Sequence, residues 1–310
     1  MSRIAAIDLG TNTVRIMVAE RNGESFEQIF SDQVITRLGE GSHENGKLAP
    51  EAMKRTTEGV TGLVRSAEPF RPFKLFITAT SAARDASNTG ALDAMIHSAT
   101  GVRLRIIPWE EEARLSLLGA KMVVGDDIGR FILFDIGGGS TEYILSAGDG
   151  KPQAAGTNLG VVRLAETYIT KHPVVDNEYN DMMKEINATV DRAFTDIRAK
   201  GDETLVGTAG TVTSLAAIAL RLVEYSPAKV NGYRLTKKVV EELRRKLFAM
   251  TLEERGRISH ISGGREDLIV PGIGIILATM KRFGADSLIV SDYGIREGLI
   301  LDIFATEANG

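Results

Sequence analysis

Two short stretches of this chain carry residue types suited to phosphate chemistry. Residues 134–145 read FDIGGGSTEYIL, and residues 7–18 read IDLGTNTVRIMV. Aligned without a gap, Asp8 falls on Asp135, Gly10 on Gly137, Thr13 on Ser140 and Arg15 on Glu142. In each copy an apolar strand ends in an aspartate, small residues follow, and a second apolar strand resumes. Glycines in such a hairpin let successive backbone N–H groups converge into a nest for a phosphate oxygen. Gly137, Gly138 and Gly139 would build that nest, with Ser140 and Thr141 as hydroxyl donors; Thr11, Asn12 and Thr13 stand in the same place in the first copy. A single D-x-G is an ordinary tight turn. Two in register predict a pair of hairpins that clasp a phosphate chain from both sides.

The carboxylates extend this reading. Asp8 and Asp135 end apolar strands, where a carboxylate is costly unless it is paired or holds a cation. Mg²⁺ takes one or two carboxylates together with waters and phosphate oxygens. The expectation is therefore a metal at Asp135, with Asp8 a weaker partner through water. Arg15 and Glu142 invert charge at one repeat position, which suggests that Arg15 clamps phosphate while Glu142 orients water or metal. Spacing alone fits two unrelated surface residues nearly as well.

Further along, WEEEARLSLLGA opens a helix with three glutamates. Glu110 reads as a complement to the helix dipole. Helical spacing sets Glu111 over Leu115 and Leu118, and Glu112 beside Ser116 and Gly119, where there is room for a ligand to approach. A desolvated glutamate near phosphate can act as general base toward water, and periodicity leaves Glu111 and Glu112 both open. TATSAARDASN (residues 78–88), with Arg84 and Asn88, reads as a polar loop or a capped helix start. GTAGTVTS (residues 207–214) is a small-residue turn ahead of a helix, a weak anion-site signal.

These residues need elements to position them. The first half reads strand, strand, strand, helix, strand, helix, strand, helix; the pattern then restarts near residues 124–129. This predicts an α/β protein of two domains with like topology, 1–125 and 126–310. A final helix at about 296–310 either stays with the second domain or crosses back to the first. The 310 residues suffice for two cores. With no cysteine there is no disulfide or thiolate site, and the four histidines have no metal-ligand spacing. A formal charge of −4 argues against broad binding to nucleic-acid polymers or anionic membranes, so any polyanion needs a local basic cluster. LIVPGIGIILATM is too short to span a bilayer, and the N-terminus has no signal-peptide pattern. A cytoplasmic protein is expected.

At this point the motifs resemble a known family. AIDLGTNTVRIMV, TRLGEG, ATSAARDASN, EEARLSLLGA, DIGGGSTE, GTAGTVTSLAA, GREDLIVPGIGIIL and VSDYGIREGLI occur in the order seen in exopolyphosphatases and guanosine-pentaphosphate phosphatases, the Ppx/GppA family. The resemblance covers nearly the whole chain. It implies two ribonuclease-H-like domains of the actin-like ATPase superfamily facing an interdomain cleft. It implies Glu112 as the general base, Glu142 as an assistant to water or Mg²⁺, and Asp135 as the metal-linked aspartate. It also implies Gly137–Thr141 and Thr11–Thr13 as phosphate loops, Arg15 as a clamp, and Arg84 and Arg265 as basic contributors along the substrate path. Glu266 departs from the small residue common beside Arg265. The chain is similar to the short two-domain form, without the C-terminal helical region of longer members.

The expected activity is Mg²⁺-dependent release of terminal phosphate from inorganic polyphosphate or pppGpp, with Mn²⁺ as the alternative ion and a homodimer open to it. The competing expectations are a small-molecule kinase of the same superfamily and a non-catalytic polyphosphate or alarmone sensor.

Overall fold

The structure is a computed structural model and describes residues 3–125, 128–147, 151–195, 197–261 and 263–308. The chain runs β1 (Arg3–Leu9), β2 (Thr13–Asn22), β3 (Ser25–Ile35), α1 (Ser42–Asn45), α2 (Pro50–Ala67), β4 (Lys74–Ala79), α3 (Ser81–Asp85), α4 (Thr89–Thr100), β5 (Leu104–Ile106) and α5 (Trp109–Val124). There follow β6 (Arg130–Ile136), β7 (Thr141–Ala147), β8 (Gln153–Thr157), α6 (Val161–Tyr168), α7 (Asp176–Ala193), β9 (Thr204–Thr208), α8 (Gly210–Ala219) and α9 (Pro227–Val230). The last elements are β10 (Arg234–Thr236), α10 (Lys237–Phe248), α11 (Leu252–Gly256), α12 (Ile269–Arg282), β11 (Ser287–Val290) and α13 (Ile295–Ala308).

Two compact units result: Met1–Gly119 with Ile295–Gly310, and Ala120–Gly294. The boundary expected at 125/126 borders residues 126–127, which lie outside the described residues. The first sheet has strand order β3-β2-β1-β4-β5, and the second β8-β7-β6-β9-β11-β10. The first five strands of both follow one plan: an antiparallel meander whose first strand pairs in parallel with the strand after the next helices. β10 is an addition of the second sheet.

Strands β1 and β6 are near-continuous apolar runs because each is central and covered on both faces. In the first unit, Ala5, Ile7, Leu9, Val14, Ile16 and Val18 face one core with the hydrophobic sides of α2 and α4. The alternate residues Ile4, Ala6, Met17 and Ala19 face a second core with Leu115 of α5 and Leu299, Ile300 and Phe304 of α13. The terminal helix therefore lies on the first sheet, where it covers apolar surface that β1 and β2 present on that side. In the second unit Ile132, Phe134, Ile136, Tyr143 and Leu145 join α6, α7, α8, α10 and α12 in one large core. Residues 78–88 run from the end of β4 through the short helix α3 to the start of α4, without a side-chain cap at Thr80. Among the described residues no helix is long and apolar enough to cross a membrane.

Because Leu299 is 1% exposed within the α13 core, Leu299→Ala should destabilise the first unit by about 2–4 kcal/mol. The single tryptophan, Trp109, opens α5 in that unit, so denaturant unfolding followed by its fluorescence should show an earlier midpoint. An unchanged midpoint would mean that α13 is not docked.

Candidate functional site

The two hairpins close by the same hydrogen bond. Gly10 N–H donates to Thr13 O at 3.1 Å, and Gly137 N–H donates to Ser140 O at 2.9 Å. Each tip is then pinned from behind by a later segment. In the first unit, Thr36 and Arg37 N–H both donate to Asn12 O at 3.0 Å, and Gly39 N–H donates to Thr11 O at 2.9 Å. In the second, Val161 N–H donates to Gly137 O at 3.1 Å and Val162 N–H to Gly138 O at 2.9 Å. The first pinning segment is TRLG (36–39), and the second pair of donors directly follows TNLG (157–160), a further piece of the internal repeat.

Their glycines answer a steric demand. A Cβ on Gly160 would lie 2.2 Å from Gly138 O and 2.3 Å from Gly139 Cα; one on Gly39 would lie 2.3 Å from Thr11 Cγ2. With the tip carbonyls drawn back, the N–H groups of Thr11 and Asn12, and of Gly138, Gly139 and Ser140, donate to no acceptor among the described residues. Backbone donors in this state are satisfied by water or an anion. Thr141 corrects one expectation. It is fully buried, its hydroxyl donates to Leu159 O, and its own carbonyl accepts from Thr157, so its side chain braces the loop from within. Gly137 likewise spends its N–H on the turn, which leaves the nest to the next three residues. Asn12 Nδ2 points to Thr13 Oγ1 at 3.4 Å, and its buried Oδ1 has no hydrogen-bond partner.

The register sets the charged residues in cross-strand pairs. Asp8 stands opposite Arg15 on β1–β2, and Asp135 opposite Glu142 on β6–β7. Residues directly opposite share one face of the sheet. Asp8 and Arg15 share parity with Ala6 and Met17, so they project on the face that α5 and α13 cover. Asp135 and Glu142 project on the face opposite the large core of their unit. Arg15 is half-buried and forms no hydrogen bond or ion pair among the described residues, so its charge is available.

Asp135 is 7% exposed and Glu142 1%. Like charges directly opposite each other are destabilising, more so when desolvated, and a cation offsets this. Among the described residues no three His, Cys, Asp or Glu side chains converge as a metal cage. Two carboxylates suit Mg²⁺ when waters and phosphate oxygens complete its shell, so this donor set fits that ion.

On α5 the tertiary structure separates the glutamates that spacing left equivalent. Glu111 reaches outward to Arg105 at 2.5 Å, whereas Glu112 is 5% exposed and its Oε2 accepts from Arg84 Nη1 at 2.7 Å. Arg84 also donates to Ile107 O at 3.2 Å, which fixes the guanidinium between β5 and α5. The two residues that the sequence offered separately, one basic contributor and one base, thus form a pair. Glu112 lies one turn before Leu115, on the helix that covers the Asp8 and Arg15 face.

A third feature lies at the start of α8. Ala209 has φ 73° and ψ −179°, a conformation otherwise reserved for glycine, and such strain collects at functional sites. The guanidinium of Arg265 packs on Gly210, with Cζ 3.2 Å from where a Cβ would stand, and Nη1 donates to Ser214 Oγ at 3.4 Å. A cation against the positive end of a helix is a place that favours an anion. Glu266 explains its departure from the family pattern by turning back to accept the N–H groups of Gly263 and Gly264, both at 2.9 Å. Arg255, wholly buried, donates to Glu266 O at 3.1 Å and Leu247 O at 2.8 Å, and so holds that loop. Burial lowers the Arg255 pKa to about 10.

The model of the "Ppx/GppA phosphatase family" matches residues 17–307. The chain is 30% identical to Exopolyphosphatase 2 of Mycobacterium tuberculosis over 98% of this chain and 99% of that one. Among solved structures, an exopolyphosphatase-like protein aligns with TM-score 0.90 at 31% identity, covering 98% of this chain and 99% of the other. A Ppx/GppA family member of Aquifex aeolicus aligns with TM-score 0.81 at 28% identity, covering 99% and 98%.

Because Gly160 meets backbone and Gly39 meets a methyl group that can turn aside, the two sites should respond differently to alanine. Gly160→Ala should cost about 1–3 kcal/mol and weaken binding of inorganic phosphate, with Gly39→Ala milder in both. Calorimetric titration and denaturant unfolding of both variants check this; equal tolerance would contradict the close approach.

Proposed function

The chain belongs to the Ppx/GppA phosphatase family, and from that premise we propose that it is a divalent-metal-dependent phosphohydrolase that releases the terminal phosphate of inorganic polyphosphate, with pppGpp as a second substrate. The observation that carries this reading is the buried Asp135–Glu142 pair beside tip amides that have no acceptor among the described residues. That combination offers places for a cation and for phosphate oxygens on adjoining residues.

In this mechanism the N–H groups of Gly138, Gly139 and Ser140, and those of Thr11 and Asn12, bind phosphate oxygens without needing to reorganise. Arg15 adds a cationic clamp, and Arg265 with the start of α8 adds another anion contact. Asp135 and Glu142 would hold Mg²⁺ or Mn²⁺, with Asp8 in a weaker role through water; the ion when bound supplies charge neutralisation on phosphate oxygens. Glu112 takes the proton of the attacking water. Its Arg84 partner fixes the carboxylate in one orientation, which makes Arg84 a positioning residue on this reading. A bond forms between water oxygen and terminal phosphorus, the bridging P–O bond breaks in line, and the shortened chain leaves with the bridging oxygen. The proton from water remains on Glu112 and returns to solvent.

Glu112→Gln keeps the hydrogen-bonding shape and removes the base, so kcat for phosphate release should fall about 10²- to 10⁴-fold while polyphosphate binding persists. Unchanged turnover would remove Glu112 from this role. Chelation of divalent metal should abolish phosphate release, and added Mg²⁺ should restore it in the parent but not in Asp135→Asn. Full activity in excess chelator would contradict the metal-dependent reading.

A further inference from the structure

The second unit carries a basic groove that the proposed reaction does not use. Three helices form it: α7, α10 and α12 enclose a cavity of about 440 Å³ whose rim holds Lys237, Arg244, Arg245 and Lys281 against one carboxylate, Glu241, over a floor that includes Met183. None of these charged side chains forms an ion pair among the described residues. Surface cations on helices are ordinarily solvated or matched by acids one turn away. Here four of them converge on one concavity, with Glu241 as the one acid of the lining, a turn from Lys237, Arg244 and Arg245, in a chain whose formal charge is −4.

Two further observations set the groove apart from a solvated face. Helix α10 opens with Lys237 and Lys238 and has no acidic residue in its first turn, which places cations at the end where the helix dipole is already positive. That arrangement favours an anion at the helix start. Arg244 is half-buried and its guanidinium lies 5.5 Å over the ring of Tyr179 on α7, which holds it for a ligand. Adjacent Arg244 and Arg245 offer planar donor forks that match phosphate oxygens in pairs.

The groove is also remote from the carboxylates of its unit. Lys237 N–H donates to Asp286 O at 2.8 Å, next to the first residue of β11, whereas Asp135 and its partner Thr208 lie at the far ends of the parallel strands β6 and β9. Helix α12 begins beside Arg265 and reaches Lys281 only in its last turn, roughly 20 Å along.

We propose that this groove is a second anion site that binds an oligophosphate group, carried by either an inorganic chain or a nucleotide. Its size suits a small ligand. Occupancy bridges α7, α10 and α12, the layer that packs on the sheet bearing Asp135. The site does not depend on hydrolysis and stands or falls separately from the function proposed above.

The test uses probes that cannot be cleaved: bis(methylene)triphosphonate for the inorganic source and β,γ-methylene-GTP for the nucleotide. Each is titrated calorimetrically into the parent chain and into Lys237→Gln/Lys281→Gln, and the lysines are mapped by acetylation and mass spectrometry with and without probe. Loss of one binding event, or a drop of about tenfold or more in affinity in the double variant, together with probe protection of Lys237 and Lys281, is expected. The arm that binds more tightly identifies the source. Equal binding by parent and variant, or acetylation unaffected by either probe, would overturn the proposal, and thermal melting of the double variant guards against misfolding.

Discussion

The close approach of a returning segment to the hairpin tip, permitted by a glycine at the crossing, fixes both candidate phosphate loops. Where Gly160 crosses behind Gly138 and Gly139, the carbonyls of the hairpin tip are bound from the rear by the start of α6. Where Gly39 crosses Thr11, the same device works with the amides of residues 36, 37 and 39. Since the C=O of one residue and the N–H of the next share a peptide and point in opposite directions, holding back the carbonyls of Thr11, Gly137 and Gly138 turns the N–H groups of Asn12, Gly138 and Gly139 outward. The steric demand for glycine thus falls on the returning segment, at Gly160 and Gly39.

Charge is placed by the same geometry. Once a hairpin's register is fixed, the residue after the tip stands opposite the aspartate before it. The two copies invert charge at that position, giving Asp8 with Arg15 in one and Asp135 with Glu142 in the other. The first pair offers a cation directly. The second concentrates negative charge in a buried place and so favours an added cation. Glu112 adds a third kind of carboxylate, buried and bonded by Arg84 Nη1 rather than placed opposite another acid.

Much of this was legible in the sequence, and the reasons for the rest are specific. Alternation and a gapless alignment reveal the paired hairpins, because a two-residue period makes the register of Asp8 with Asp135 visible. The T-x-L-G repeat is hidden in the sequence because the third strand is 11 residues in the first copy and 5 in the second, which shifts the frame. Glu112 could not be told from Glu111 by helical spacing; burial decides that, and burial belongs to the fold. The pairing of Arg84 with Glu112 joins α3 to α5, and no local pattern encodes it. Thr141 shows the opposite failure: its type suggested a donor toward ligand, while its position in β7 turns the hydroxyl into the protein. The basic groove draws Lys237 and Lys281 from helices far apart in sequence, so composition shows only the net acidity that hides it.

The central claim is that outward tip amides bind phosphate oxygens, and amide resonances report this most directly. In a uniformly ¹⁵N-labelled, deuterated chain titrated with pyrophosphate in the presence of Mg²⁺ at low temperature, the N–H signals of Thr11, Asn12, Gly138, Gly139 and Ser140 should move downfield and saturate together. The N–H signals of Gly10 and Gly137, already engaged in their turns, should move least among the hairpin residues. Saturable shifts elsewhere with these five amides unmoved would contradict the account.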